Sequence, residues 1–268
     1  QFGEDGFILK RNKKIKGITL REVMDDYAHH KKNLIKDKTI RDYQIIFNGY
    51  LSEWKDKELN SIKRSMVEKK HRAIGTTSIY RANATMRLLR ALFNFANGEY
   101  EDSDGEPIIQ HNPVVKISLK KAWFREKVRT NIIHPNELKN WFDAVTSLPF
   151  HTANITHKNT SETVRDYLIV MLFTGLRPGE AINLKWGDID FINNLLHIED
   201  TKNHEEHTLP LTSYLMSILR RRKDESSGSV VFPGYNPNKS LVNSNKQVKK
   251  VIKSSGVKFL LHDLRRTF

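Results

Sequence analysis

A histidine and an arginine stand three residues apart in the run His262-Asp263-Leu264-Arg265-Arg266-Thr267-Phe268. That spacing lets both side chains share one face of a helical turn. The pair alone describes no more than the basic face of a surface helix. A second arginine, Arg177, lies in the segment Phe173-Thr174-Gly175-Leu176-Arg177-Pro178-Gly179-Glu180. Gly175 can end one helix there and Pro178 can begin the next, so Arg177 falls on a constrained turn. Glu180 is spaced to orient that guanidinium by a charge-assisted hydrogen bond. A surface ion pair at a helix start has the same spacing and is worth little. Lys202, in Thr201-Lys202-Asn203-His204, comes where a strand hands over to a turn, a place where a lysine is usually only solvated. His197, His204 and His207 cluster nearby with Asp200 and Glu205, but their spacing matches no helix-borne ligand pair, and no metal is expected.

The chemistry open to these residues is set by charge. The 268 residues carry 45 Lys+Arg against 31 Asp+Glu, a formal net charge of +14. Such an excess favours a polyanionic partner, because each neutralised phosphate releases counterions. Residues 1–130 hold 27 basic and 17 acidic side chains, residues 131–268 hold 18 and 14, so the excess is concentrated in the first half. Cysteine is absent, which excludes disulfide staples, thiolate metal sites and cysteine nucleophiles together. No apolar run approaches the length of a membrane span and no signal peptide opens the chain, so a cytoplasmic protein is expected. An anionic membrane surface fits poorly, since no exposed aromatic stripe or lipidation signal accompanies the basic segments. A first residue that is Gln rather than Met suggests a trimmed fragment.

The candidate residues need elements to hold them. Pro135 opens a predicted helix carrying Leu138, Trp141, Phe142 and Val145, and residues 162–173 make an apolar helix around Val164, Leu168, Met171 and Leu172. The period then changes. Phe191-Ile192, Asn193-Asn194 and Leu195 to Ile198 read as strand, tight turn, strand, and His207–Leu211 supplies a third strand ending at Pro210. Helical patterning returns over Thr212–Lys223 and around Gln247–Lys253. The clusters Arg220-Arg221-Arg222-Lys223 and Lys246, Lys249, Lys250, Lys253 either complement helix dipoles or touch phosphates.

Ahead of these lies an all-helical block. Residues 1–17 read as an arm. Thr19 with Glu22 makes a capping box ahead of Leu20, Val23, Met24 and Tyr27. Thr39 with Asp42 repeats the device ahead of an apolar face running from Ile40 to Trp54. Asn60 or Ser61 is the expected cap of a third helix through Ile62, Met66 and Ile74, and a fourth runs from Thr77 to Asn97, closed by Asn97-Gly98. The helical spacing of the aromatic residues marks them as core rather than base-stacking platforms. An acidic, turn-rich stretch, Glu99 to Pro107, follows, and then a basic connector expected to be extended, with Lys116, Lys120, Lys121, Arg125, Lys127 and Arg129.

Taken together, Gly175-Leu176-Arg177-Pro178-Gly179-Glu180, a hairpin lysine at 202 and His262-Asp263-Leu264-Arg265-Arg266-Thr267-Phe268 resemble the tyrosine recombinase (phage integrase) family. The resemblance covers residues 131–268 by motif and residues 18–115 by pattern only. It implies a mainly α fold with a small antiparallel sheet. A helical, SAM-like core-binding domain at 18–115 and a basic linker at 116–130 would precede an α+β catalytic domain at 131–268, incomplete at its end. It implies site-specific recombination on double-stranded DNA through a 3′-phosphotyrosyl intermediate, for a phage or mobile element, in a bacterial cell at the nucleoid.

In that scheme Arg177 and Arg265 clamp the scissile phosphate, Lys202 protonates the leaving 5′ oxygen, His262 either hydrogen-bonds the phosphate or passes a proton to and from the nucleophile, and Glu180 supports the first arginine. The connector cations would run along the DNA backbone, and no cofactor or metal is required. A complete protein would work as a tetramer; this chain is expected to be a monomer. The pattern also expects a His or Trp and then the nucleophilic tyrosine beyond Arg265. Tyr27, Tyr43, Tyr50, Tyr80, Tyr100, Tyr167, Tyr214 and Tyr235 all precede His262, so the chain is expected to bind DNA without cleaving it. The competing readings are a non-catalytic DNA-binding protein on the same scaffold, and an RNA- or polyanion-binding helical protein, which explains the charge but not the motifs.

Overall fold

The computed structural model describes residues 17–102, 104–148, 155–198 and 206–268, with backbone alone for 155–159. The chain divides into two compact units, residues 1–128 and 129–268. In the first, helices α1 (Leu20–Lys31), α2 (Asp37–Tyr50) and α3 (Arg64–Gly75) all pack on the long α4 (Ile79–Glu99). Its core gathers Leu20, Val23, Phe47, Leu51, Trp54, Met86, Leu89 and Phe93, all buried. Each such side chain contributes roughly 1.5–3 kcal/mol on leaving water. The aromatic residues at helical spacing are therefore mostly core.

The capping box at α1 forms as the sequence predicts. Glu22 N–H donates to Thr19 Oγ1 at 3.3 Å, and Thr19 N–H donates back to Glu22 Oε2 at 3.0 Å. The second capping device does not form. Helix α2 starts two residues before Thr39, with Lys36 as an extended cap and Asp37 in the first turn, where a carboxylate meets the positive end of the helix. Leu51 and Trp54 lie beyond α2, Trp54 in a 3-10 turn (Ser52–Trp54), yet both are buried. Asn60 and Ser61 belong to another 3-10 turn (Leu59–Ser61) and do not cap α3, which begins after Lys63. Helix α4 is capped by Ser78 and runs through Gly98 to Glu99. Asn97 does not close it, because its Nδ2 donates to the carbonyl of Ile109 at 2.6 Å and ties down the returning chain. The connector expected to be extended begins as helix α5 (Val115–Leu119), with Ile117 in the core.

The second unit contains α6 (Pro135–Thr146), α7 (Ile155–Thr174), the short α8 (Pro178–Ile182), a three-stranded antiparallel sheet, then α9 (Ser213–Asp224), α10 (Asn245–Ser255) and α11 (Leu261–Thr267). The sheet order is β1 (Ile189–Asp190), β2 (Leu195–Ile198), β3 (His207–Pro210), with Leu196 facing Leu209 and Ile198 facing His207. Phe191 and Ile192 are not strand, as the spacing suggested. They begin the turn, because Asp190 accepts from the N–H groups of Ile192 and Asn193 at 2.9 Å each and folds the chain over early. Asn194 closes that turn at φ 56°. Pro210 sits at the end of the edge strand, where no ladder donor is required of it. Tyr167, Leu168 and Met171 of α7 are buried at the centre, with Trp141, Leu196, Phe232 and Leu264 around them. No helix among the described residues is long and apolar enough to cross a membrane.

Candidate active site

The turn that carries Arg177 is built from three backbone constraints. Gly175 takes φ +62°, a conformation that costs glycine nothing, and its N–H closes α7 on the carbonyl of Met171 at 3.1 Å. The ring of Phe268 lies against it: a Cβ there would come within 2.5 Å of Phe268 Cδ1. Pro178 starts α8 and keeps the preceding residue extended, so Arg177 sits at φ −65°, ψ 146°. Arg177 N–H then donates to Glu180 Oε2 at 2.9 Å while Arg177 Nη1 donates to Oε1 at 2.7 Å. One carboxylate thus caps α8 and pins the guanidinium.

The same carboxylate reaches the end of the chain. Arg265 Nη1 lies 3.8 Å from Glu180 Oε2, so the two arginine motifs meet on Glu180, whose side chain is 10% exposed. Arg265 is aimed by α11, which packs on α7. Leu264 is buried, and the buried Asp263 accepts from Leu260 N–H at 2.9 Å and from Arg266 Nη1 at 2.9 Å. Thr267 Oγ1 donates to the Asp263 carbonyl at 2.8 Å and accepts from Ile133 N–H at 2.9 Å, tying α11 to the chain entering α6. His262 is exposed on the same helix.

Burial pushes the Glu180 carboxyl up. The hydrogen bonds from the Arg177 side chain and backbone, and the charges of Arg177 and then Arg265, outweigh that and hold it below its ordinary value. The cluster therefore combines two guanidinium charges with one firmly ionised carboxylate and is net positive. Each guanidinium has five donors. Among the described residues the Glu180 pairing engages one side-chain nitrogen of each, so donors remain for a second, planar or tetrahedral anion.

Lys202, with His204, Asp200 and Glu205, lies outside the described residues. His197 Nδ1 is 3.0 Å from Thr208 Oγ1, and His207 pairs with Ile198 across the sheet. Among the connector cations, Lys116 and Lys120 lie 3.5 and 3.1 Å from Glu68. The hydrogen bond from Lys120, against the cost of burial, and the charges of Lys120, Arg72 and Lys116 hold that carboxyl below its usual range. Lys121, Arg125, Lys127 and Arg129 are exposed.

Each side chain of the cluster at 220–223 has an internal partner. Arg221 and Arg222 bond Asp166 at 2.6 and 3.0 Å, Arg220 donates to the Phe191 carbonyl at 3.0 Å, and Lys223 sits 5.1 Å over the Trp186 ring. Lys246, Lys249, Lys250 and Lys253 are exposed on α10. Sequence reasoning passed over Asp166, which is 1% exposed and also accepts from Arg165 Nε at 2.8 Å. The available signal was an aspartate inside an apolar helix run.

The phage integrase family model matches residues 134–268. The tyrosine recombinase XerA of Pyrococcus furiosus is 28% identical over 262 residues, covering 93% of this chain and 80% of its own length. The prophage integrase IntF of Escherichia coli K12 is 28% identical over 198 residues, covering 68% of this chain and 37% of that protein. Among solved structures, a lambda integrase fragment (75-356), a dimer bound to a core site, superposes with a TM-score of 0.69 at 20% identity, covering 93% of this chain and 88% of the other. The Tn1549 transposon integrase, in complex with transposon right end DNA, superposes with a TM-score of 0.67 at 17% identity, covering 94% and 85%.

Proposed function

Because the chain belongs to the phage integrase family, we propose that it is the DNA-gripping part of a tyrosine-type site-specific recombinase that integrates or excises a phage or mobile element. The observation that carries the reading is the meeting of Arg177 and Arg265 on Glu180, with guanidinium donors left over. Such a pair suits a phosphodiester. As a tyrosine oxygen bonds to phosphorus and the 5′ oxygen departs, charge builds on the non-bridging oxygens, and fixed guanidiniums stabilise that state more than the ground state. Lys202 would give its proton to the departing 5′ oxygen and His262 would hydrogen-bond the phosphate. The exposed Lys121, Arg125, Lys127 and Arg129 suit the DNA backbone. Residues 18–115 and 131–268 act as the core-binding and catalytic parts of a recombinase that works as a tetramer on two DNA sites in the bacterial cytoplasm.

None of the eight tyrosines serves as the nucleophile in this reading. Tyr167 touches the arginine turn, yet it is fully buried, its hydroxyl donates to the Pro178 carbonyl at 3.1 Å, and burial raises its pKa well above the ordinary phenol value. A hydroxyl so placed is neither accessible nor prone to ionise.

Binding of the 268-residue chain to a mixed-sequence DNA duplex, measured across a salt series, tests the reading. Replacing Arg177 or Arg265 by Ala is expected to lower the slope of log affinity against log salt by about 0.9 for each phosphate that is no longer neutralised. Unchanged slopes in both variants would overturn the phosphate-clamp assignment. A covalent protein–DNA adduct formed by this chain on a nicked duplex would overturn the exclusion of its tyrosines.

A further inference from the structure

One face of α4 carries Tyr80, Asn83, Arg87, Arg90 and Asn94, polar or amphipathic residues at intervals of three and four that fall in line on a helix. The chain's own connector occupies that line. Asn112 Nδ2 donates to Asn94 Oδ1 at 2.7 Å and to the Arg90 carbonyl at 2.9 Å. The Arg90 guanidinium lies 5.6 Å over the Trp123 ring. Arg87 Nη2 donates to Glu126 Oε1 at 2.6 Å, and Tyr80 donates to the Lys127 carbonyl at 3.1 Å. As the helix partner falls from 94 to 80, the connector partner rises from 112 to 127, so the two run antiparallel.

Asn83 sits where this seam is tightest. It is 1% exposed, and all four of its hydrogen-bonding positions are filled. Its Nδ2 donates to the Phe124 carbonyl at 2.9 Å and to Glu126 Oε1 at 2.8 Å. Its Oδ1 accepts from Phe124 N–H at 3.3 Å and pairs with Nε2 of the buried His71 at 2.9 Å. The Phe124 ring closes over Gly75, where no Cβ would fit. An apolar seam would hold the connector in several registers. A buried amide with four directional partners permits one. A cleft of about 270 Å³, lined by Asn83, Arg87, Arg90, Trp123, Phe124 and Glu126, runs along the seam, so these bonds and the packing of Trp123 and Phe124 on the first unit's core, rather than overlying elements, hold the connector down.

We propose that this seam is a strap that takes up the connector on the first unit and leaves only the exposed residues Val128–Ile132 as tether to the second. The tether ends at Ile133, which is buried in the second unit. Releasing the strap as far as Trp123 would double the tether from five residues to ten. Effective concentration falls as about the −3/2 power of linker length, so each unit would lose roughly threefold in its help to the other on a shared ligand. The part about shared DNA rests on the recombinase reading; the strap itself does not.

Amide hydrogen exchange on the intact 268-residue chain tests it. In the wild type, the amides of Lys121, Ala122 and Phe124, which donate to the Ser118 and Ile117 carbonyls and to Asn83 Oδ1, are expected to exchange at least about tenfold more slowly than those of 128–132, since a hydrogen-bonded amide exchanges only through opening. Asn83→Ala is expected to erase that difference while α4 keeps its protection. If Asn83→Ala loosens α4 as well, Tyr80→Phe decides, because its side chain is at the surface and only the bond to the Lys127 carbonyl is removed. Those three amides exchanging as fast as 128–132 in the wild type, or unmoved by both variants, would overturn the strap. On a 30-base-pair mixed-sequence duplex the released variant is expected to bind about threefold more weakly. Equal affinity would remove the tether role, whereas a wild-type chain that binds no DNA would sink the recombinase reading and leave the exchange result to judge the strap.

Discussion

Glu180→Gln separates the structural role of the arginine cluster from its use on an anion. The change keeps an acceptor of nearly the same shape but removes the charge that faces Arg177 at 2.7 Å and Arg265 at 3.8 Å. A hydrogen bond to an ionised partner is worth about 1.5–3 kcal/mol and a neutral one about 0.5–1.5. Gln has one acceptor oxygen where the carboxylate uses two, so one bond from Arg177 becomes neutral and the other is lost, about 2–3 kcal/mol together. Arg265, 37% exposed, adds at most about 0.5 kcal/mol after screening by solvent. Relief of the carboxylate's burial offsets part of this, and the net loss expected is about 2 kcal/mol, or roughly 5–8 °C in melting temperature for a unit of this size. The Glu180 carboxyl titrates below its ordinary value in the folded chain. Its contribution is therefore fully present above the unfolded value of about 4.3 and is lost as pH falls through the lower folded value. Thermal melts of both proteins from pH 7 downward should converge in acid. Sulfate should restore the variant more than the wild type, because the unpaired guanidiniums gain an anion. A variant that melts within about 1 °C of wild type at pH 7, below the resolution of a 1 kcal/mol effect, would refute the electrostatic account, as would a gap that persists unchanged into strong acid.

Two further substitutions probe the frame behind the site. Asp166→Asn leaves three guanidiniums facing a neutral amide in a spot that is 1% exposed, and removing one partner of a buried ionic network costs about 3–5 kcal/mol. Chemical denaturation should show that loss as a lowered midpoint with unchanged slope, and a loss under about 1 kcal/mol, within the ordinary range of surface changes, would mean the network is not a support. Gly175→Ala forces a side chain into the left-handed region, at about 1–2 kcal/mol, and onto the Phe268 ring. Adding Phe268→Ala should recover the steric part and not the backbone part, and a double variant as stable as wild type would contradict the backbone account.

The parts of the site that were legible in the sequence are those fixed by local chemistry. Gly175 and Pro178 bracket Arg177 by backbone preference alone, and Glu180 reaches it because both lie within one turn. The three-residue spacing of His262 and Arg265 likewise required only a helix. The second salt contact of Glu180, to Arg265, is a tertiary event with no local signature. Helix starts were misplaced at Thr39 and Asn60 because a threonine or asparagine before an apolar run is only a competent cap, and the packing of Trp54 and Leu59 set where the chain turned. The connector reads as extended because its charges dominate its composition, while Ile117 and Phe124, few but well placed, anchor it.

Charge counting misled for a related reason. The densest run of cations, Arg220 to Lys223, reads from the sequence either as a complement to a helix dipole or as a phosphate contact, yet a single buried aspartate, a backbone carbonyl and an indole face engage all four side chains. Lys116 and Lys120 are similarly held by Glu68. A cation cluster in sequence measures how many charges lie close along the chain, whereas anion binding depends on how many have donors left once the fold has placed its carboxylates. Glu180 is shared by two arginines that come from separate motifs. It orients Arg177 through one guanidinium nitrogen and stands at only 3.8 Å from Arg265, so it organises two cations without consuming either. In the proposed reading, the capacity of the site for a phosphate rests on two arginines that converge on one carboxylate, and not on the basic composition that first suggested a nucleic-acid partner.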